Sequence, residues 1–390
     1  MVKAHILIIN SKCPYPICDG AAIRSMQMIK MLSLMYAIDL VYIYDNKFGN
    51  CIKNPLFEIC DSVRSFKISP FEKVFNLLLG LFQKRPLQCS YFYSSEAKKY
   101  VNMVIDSYAF VFCNNMRTAE YIIDSNCAKY IDYVDAISMN YKKAVKYSNW
   151  FWSKIYSFEY NRCVKYEDLI LHLFSKKIII SDVDRDFVLG RNDNRSDIFV
   201  VGNAIEQDDE LIEQNDFFNI VFLGKMSYEP NIVAVITFVK AIFPQILKKI
   251  PQSQFYIVGS HPTSKVKGLV SDNVHVTGYV DDVKYYLRKS TVVVAPMFTG
   301  AGVQNKILQA MSLGCAVVTT KTGAEGLFQI ENGKDICIVD DDNILEFATL
   351  TSSIILDKEQ RINIGKSAKS YVKRNYSFNA IYEDLKIAMK

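Results

Sequence analysis

The sequence predicts an α/β protein made of two doubly wound domains, each a parallel sheet with helices on both faces. Two observations carry this. Short apolar runs alternate with longer segments of helical periodicity along the whole chain, the pattern of parallel strands joined by crossover helices. The alternation breaks once, at the acidic stretch EQDDELIEQND (206–216), and then restarts, which marks a domain boundary. A chain of 390 residues is long enough for two such domains. Two in one chain imply a cleft between them, with ligands beyond the carboxyl ends of the strands.

The elements follow in order. Ala4–Ile9 reads as a buried first strand, and Ala21–Met35 as a helix with Ile23, Met26, Ile29, Met31, Leu32 and Met35 apolar. Asp39–Tyr44, Ala109–Cys113 and Lys129–Tyr133 read as further strands. Tyr141–Leu173 lacks breakers and reads as one or two helices, followed by strands at Lys177–Ser181 and Phe199–Val201. After the acidic stretch come a strand at Asn219–Leu223, a helix at Asn231–Leu247 and a strand at Gln254–Val258. Val274–Thr277, Val292–Ala295 and Ala316–Thr319 continue the series, and Phe378–Met389 is an amphipathic last helix. The domains are therefore expected at 1–205 and 206–375, with 376–390 packing back on the first.

Composition excludes some classes. Half of the residues are hydrophobic and 22% are charged, as in a globular protein and unlike a disordered chain. A net charge of +5 argues against a nucleic-acid-binding polycation. Residues 1–202 nonetheless carry 26 basic and 20 acidic side chains, against 20 and 21 in the remainder. That bias points to an acidic partner for the first half, such as an anionic membrane surface, or to a basic solvated surface.

The ten cysteines form no Cys-x-x-Cys pair and only four histidines accompany them, so reduced thiols of a cytosolic protein are expected rather than a structural zinc. Neither a signal peptide nor a run of 18 apolar residues is present. The segment Phe71–Phe82, FEKVFNLLLGLF, is followed by Lys84 and Arg85. It fits an interfacial membrane helix with a basic end, although burial as a core helix is the commoner fate of such a segment.

The segment with most chemistry is VVVAPMFTGAGVQNKILQAMSLGCAVVTT (292–320), a strand, a glycine loop, a helix starting near Val303, a glycine stop and a strand. Glycines at 300 and 302 let the backbone approach a ligand. The following helix N-terminus favours an anion, most simply a phosphate or diphosphate. Lys306 adds a full charge where it would otherwise oppose the macrodipole. Gln309, three residues on, shares its face and can hydrogen-bond a sugar hydroxyl, while Ile307, Ala310 and Met311 face the core. Taken locally, an ordinary βαβ turn with a surface lysine fits as well.

The wider pattern resembles the nucleotide-sugar signature of glycosyltransferase family 4, which has the GT-B fold. One branch of that family has Gly-small-Gly, three residues, Lys, two aliphatics, Glu-Ala-Met and then Gly-x-Pro-Val-Val. Gly300-Ala301-Gly302, Lys306, Ile307-Leu308, Ala310-Met311, Gly314 and Val317-Val318 match it. Gln309 replaces the family Glu, Ala316 replaces the Pro, and Thr299-Gly300 stand where a more widespread Glu precedes the loop. The stretches 219–239, 255–262, 274–287 and 322–327 follow in family order. In the first half, 14–32 and 129–141 resemble the family's first loop and an Asp-rich strand end.

The resemblance implies retaining transfer of a sugar from a nucleotide diphosphate sugar to an acceptor hydroxyl, with no metal or other cofactor. Catalysis would be mostly positioning and stabilisation of the departing diphosphate. Gly300, Ala301, Gly302, Val303 and Lys306 would hold that diphosphate with help from Lys225, and Gln309 would contact the ribose. On the acceptor side, Asp19 and Gly20 would line the loop before the first helix, and Arg24 would reach an acceptor phosphate. Helix capping by Asp19 and a surface role for Arg24 are the bland alternatives. Asp132 or Asp135 would orient the acceptor hydroxyl or the sugar, or else only cap and turn the chain.

The expected acceptor is a glycan or lipid-linked sugar in cell-surface polysaccharide or glycolipid synthesis, with the enzyme in the cytoplasm at the inner face of the membrane. A degenerate sugar-nucleotide binder and a GT-B epimerase are the alternatives that the change to Gln309 keeps open. An NAD-dependent oxidoreductase would need Gly-x-Gly-x-x-Gly after the first strand, where NSKCPYPICDG stands instead. A pure interaction scaffold would leave the ordered motifs of the second half unexplained.

Overall fold

The computed structural model describes the chain apart from residues 1–2, 18–19, 46–54, 148–149, 191–196, 209–217 and 300–301, and the side chains of 146 and 147. It has two compact units, Met1–Asn203 with Tyr382–Lys390, and Ala204–Ile381. The second begins where the Ile205 N–H donates to the Tyr376 carbonyl at 2.7 Å. The chain therefore changes unit just before the acidic stretch. It returns to the first unit within its last helix, Phe378–Met389.

The first unit has seven parallel strands among the described residues: β1 His5–Asn10, β2 Ala37–Tyr44, β3 Ser62–Lys67, β4 Val111–Asn114, β5 Lys129–Asp132, β6 Lys176–Ile179 and β7 Phe199–Val200. Their order is β3-β2-β1-β4-β5-β6-β7. Ile6–Ile9 are buried almost completely, as a central strand covered on both faces requires. Register sets Asn10 beside Asn114 and Asn114 beside Asp132. Three polar residues thus stand abreast where the apolar strands end.

The second unit repeats the plan with β8 Asn219–Leu223, β9 Gln254–Val258, β10 Val274–Gly278, β11 Val292–Ala295, β12 Val317–Thr320 and β13 Cys337–Val339. These are ordered β10-β9-β8-β11-β12-β13 and are all parallel. Residues 229–249 form one helical run, loosened into a π-turn at Phe238–Ile242 ahead of Pro244. By length and hydropathy this run could cross a membrane, a property the sequence reading did not assign to any segment. Its apolar character also has a local use: Phe238 and Phe243 pack against Phe255 with ring centroids 4.4 and 5.8 Å away.

Two strands escaped the sequence reading. β3, SVRSFK, is an edge strand with Arg64, Ser65 and Lys67 exposed, so it lacks the apolar run of a central strand. β13 has only three residues. Tyr141–Leu173 resolves into two helices, Ile137–Tyr147 and Trp150–Leu173.

The helix Asn305–Ser312 is stopped by Gly314 at φ +82°. The Gly314 N–H donates to Met311 and the Cys315 N–H to Ala310, a Schellman closure. Gly365, on the helix Lys358–Tyr376, presses against this stop: a Cβ there would lie 2.1 Å from the Gly314 carbonyl oxygen. Two backbones in contact fix the far end of the 305–312 helix. Gly365→Ala is therefore expected to destabilise the second unit by about 3 kcal/mol, measured as a lower denaturant midpoint with an unchanged slope.

Candidate functional site

Each sheet reverses its winding once, between β1 and β4 in the first unit and between β8 and β11 in the second. Doubly wound sheets bind ligands outside the carboxyl ends of the strands at such a point.

In the second unit Lys306 occupies that place. Its Nζ donates to Asn231 Oδ1, lies 3.3 Å from Met297 Sδ and sits 4.8 Å above the Phe222 ring centroid. Asn231, almost fully buried, is fixed in turn by donating its Nδ2 to the Lys225 carbonyl at 3.0 Å. No carboxylate neutralises this ammonium in the interactions described. Burial accordingly pushes the Lys306 pKa down to about 7. An anion at this point would restore the charge that burial disfavours.

The described part of the loop before Lys306 has an irregular backbone. Gly302 lies at φ +73°, and Gln304 is extended without a side-chain capping bond, so the helix starts at Asn305, two residues later than the sequence suggested. The first N–H groups of the helix are left to other partners. Below the loop, a Cβ on Gly326 would meet the Gly302 carbonyl carbon at 2.7 Å and the Val303 nitrogen at 2.8 Å. Gly326, the second glycine of the 322–327 segment, is thus the floor on which the loop rests. Val303 and Gln309 are half-buried and Lys225 is exposed at the end of β8. Gly300 and Ala301 lie outside the described residues.

In the first unit the expected residues are used differently. Arg24, expected either to reach an acceptor phosphate or to lie at the surface, is 1% exposed, and Asp132 is 0% exposed. They form a two-pronged ion pair, with Nε to Oδ2 at 2.6 Å and Nη2 to Oδ1 at 2.8 Å. Arg24 Nη1 also donates to the Val201 carbonyl at 2.9 Å and Asn203 Oδ1 at 3.1 Å. The pair ties the first helix, the end of β5 and the chain leaving β7 into one knot. Both side chains are thus buried in bonds to this chain rather than presented at the surface.

Asp132 also accepts from the Val134 N–H at 2.9 Å, holding a turn in which Val134 adopts φ +69°. That is a rare conformation for a β-branched residue and is found mostly where function demands it. Asp135 follows the turn. Its pKa is raised to about 6 by burial and by the nearby Asp184 carboxylate, and Asn140 Nδ2 donates to it at 2.6 Å. Of the two aspartates, Asp135 is the one suited to handling a proton. Gly20 begins the first helix with open space where a Cβ would stand, so packing does not require glycine there. Asp19 lies outside the described residues.

Sequence reasoning missed a cavity of about 480 Å³ in this unit, lined by Ser11, Tyr15, Ser25, Asn115 and Arg117 among others. It opens at the carboxyl ends of β1, β2 and β4. Asn115, at φ +66°, donates Nδ2 to Ser11 Oγ at 3.1 Å and accepts from the Arg117 N–H at 2.9 Å. The Arg117 guanidinium stacks 5.0 Å from the Phe92 ring centroid, which Lys12 also approaches. The pair Asn114-Asn115 directly after an apolar strand was the available signal.

The described cysteines are all free, and six of the eight are buried. Burial raises the Cys60 and Cys113 thiols to about 12, which leaves them unreactive.

Comparison with known proteins adds the following. Residues 218–357 match the family described as Glycosyl transferases group 1, a span that contains Lys225, Asn231 and the 300–309 loop. Over nearly its full length the chain is 21% identical to an uncharacterised 44.6 kDa protein in the cps region of Klebsiella pneumoniae, covering 98% of this chain and 99% of that one. In three dimensions it is similar to Anabaena Alr3699/HepE in complex with UDP, with a TM-score of 0.69, 13% identity and 99% of both chains covered. It is equally similar to TarM, with a TM-score of 0.71 at 13% identity and the same coverage. These similarities show the fold as GT-B, two Rossmann-like domains in one chain.

Two stability effects follow. Lys306 is held below its unfolded pKa, so the folded state binds fewer protons between pH 7 and 10.5 and stability rises with pH across that window. Lys306→Met should raise stability by about 1–3 kcal/mol at pH 7 and flatten that rise, as read by denaturant titrations from pH 6 to 10. Arg24→Met strands the buried Asp132 carboxylate and should cost about 3–5 kcal/mol, with part of the loss recovered on adding Asp132→Asn.

Proposed function

We propose that this chain is a glycosyltransferase that moves a sugar, with retention of configuration, from a nucleotide diphosphate sugar to an acceptor hydroxyl. The observation that carries the proposal is the part-buried ammonium of Lys306 at the winding reversal of the second sheet, in the first turn of a helix whose N-cap has no side-chain bond. A cation depressed to about pKa 7 and set in the first turn of a helix suits an anion of high charge density. In the group 1 family assignment of this segment, and in structural relatives described with UDP, that anion has a natural identity. We assign UDP as the nucleotide on this ground.

In this scheme the Gly302–Val303 backbone and Lys306 receive the diphosphate, Lys225 approaches from the end of β8, and Gln309 contacts the ribose. Gln can both donate to and accept from a hydroxyl but forgoes the charge-assisted bond that a carboxylate would make. As the anomeric C–O bond breaks, negative charge grows on the β-phosphate, where Lys306 and the amides already stand. The acceptor oxygen forms the new bond, and its proton passes to the departing phosphate oxygen. No metal is required for this charge stabilisation. The Asp135 carboxyl, titrating near pH 6, is the candidate for orienting the sugar or the acceptor hydroxyl.

The cavity of the first unit, with Arg117 and Lys12 at its wall, is assigned to the acceptor. We extend the proposal to a glycan or lipid-linked sugar acceptor handled in the cytoplasm; of this, the cps-region relative supports polysaccharide synthesis. The change to Gln309 favours one rival, a sugar-nucleotide binder without turnover.

The test is a thermal-shift series with UDP-, GDP-, ADP- and dTDP-sugars. UDP-sugars should raise the melting temperature through binding linkage, and Lys306→Ala should abolish the shift while remaining folded. Calorimetry with UDP at pH 8 in buffers of different ionisation enthalpy should show net proton uptake, since the anion recharges Lys306. No shift with any nucleotide sugar would overturn the reading, and binding without transfer to any acceptor would favour the binder.

A further inference from the structure

The helix Pro70–Phe82 is oriented against the usual rule. Its buried residues are Lys73, Asn76 and Gly80. Its apolar residues face out: Phe71 and Phe82 are 90% exposed, and Val74, Phe75, Leu78 and Leu81 between 51% and 61%. The sequence alone favoured a core helix for this segment, and the structure corrects that. The inversion is built in. Lys73 donates to Asp45 and, at 3.2 Å, to Tyr91 Oη, and Asn76 Nδ2 donates to the Tyr93 carbonyl at 2.8 Å. A full capping box fixes the start, with Ser69 and Glu72 bonding each other's N–H groups. At the far end, Arg162 Nη2 donates to the carbonyls of Gly80, Gln83 and Arg85, the cation a helix C-terminus favours. Polar bonds fasten the helix by its polar face and hold its apolar face in solvent.

The apolar surface continues onto the helix Trp150–Leu173. Arg162 belongs to it, and Phe151 and Phe158 lie eleven and four residues before Arg162, hence on the same face. Both are exposed, as are Trp150 and Trp152, the only tryptophans in the chain. A contiguous patch of this kind marks an interaction site.

We propose that this surface is a membrane-docking face that inserts the Pro70–Phe82 helix into the interface of an anionic bilayer. Three features select lipid over a protein partner. The cations Lys67 and Lys84 flank the helix and are exposed, with Lys154 beside Trp150 on the second helix. The one acidic residue of the Pro70–Phe82 helix, Glu72, is occupied in its cap. Tryptophans border the apolar stripe, where a headgroup region accommodates their rings. The basic excess of residues 1–202 extends the same complementarity to the whole unit. The inference is independent of the donor site.

The experiment uses the full chain with vesicles of phosphatidylcholine alone or with 30 mol% phosphatidylglycerol. Cosedimentation is expected with the anionic vesicles and at least tenfold weaker with the neutral ones. Because Trp150 and Trp152 are exposed on either side of Phe151, their emission should shift to the blue on binding and be quenched by brominated lipid. Phe75→Ser/Leu78→Ser/Phe82→Ser should reduce anionic-vesicle binding at least tenfold, and Lys67→Glu/Lys84→Glu should also weaken it. Unchanged melting temperatures would show that both variants fold. Equal vesicle binding by the folded triple variant would overturn the proposal. So would analytical ultracentrifugation showing a wild-type dimer that the triple variant dissolves, since a second copy would then cover the face.

Discussion

Every described strand pairing in this protein is parallel, and that constraint governs where anything else can happen. A parallel sheet must be covered on both faces, so its strands become continuous apolar runs and its helices are committed to packing. Polar function is driven to the strand ends. Both sheets obey: Asn10, Asn114 and Asp132 stand abreast at one carboxyl edge, and Lys225, Asn231 and Lys306 gather at the other. The two edges solve the burial of charge in opposite ways. Arg24 and Asp132 satisfy each other with ideal geometry and close their edge into a structural knot. Among the described residues Lys306 is given an amide oxygen, a thioether and a ring, and it keeps its capacity for an anion.

That contrast separates scaffold from site more sharply than residue type does. Asp132 and Asp135 sit three residues apart and looked interchangeable in sequence. The first bonds to a guanidinium and to the Val134 N–H and is thereby committed. The second carries the consequence of burial near Asp184, a carboxyl that titrates near pH 6. The strained Val134 between them is the hinge of this division, because its positive φ turns the chain so that one carboxylate faces inward and the other lies beyond the strand end.

Much of this architecture was legible in sequence. β8, β9 and β11 fall at the residues their apolar runs indicated, and the glycine stop at Gly314 is a real Schellman closure. What could not be read was pairing across distance. Arg24 and Asp132 are 108 positions apart, and Asn231 lies 75 positions before Lys306, so nothing local announces either contact. The first-unit cavity was missed for a related reason: its lining comes from three strand ends, the first helix and the 91–92 segment, none of which carries a motif alone. The first domain's acceptor-side expectations fell on loop residues, and the nearby Asn114-Asn115 strand end, which supplies a wall, drew no attention.

The Pro70–Phe82 helix shows a different limit. Periodicity tells that a helix has an apolar face but not which way that face points. For nearly all helices of a soluble protein the answer is inward, because apolar burial outweighs the few hydrogen bonds a polar face can offer. Here a capping box, a lysine and asparagine anchor and an arginine on the terminal carbonyls secure the opposite arrangement. The fold forgoes the burial of seven large apolar side chains in isolation. Such an arrangement is sustained when another phase supplies the burial, as the interfacial region of a bilayer can.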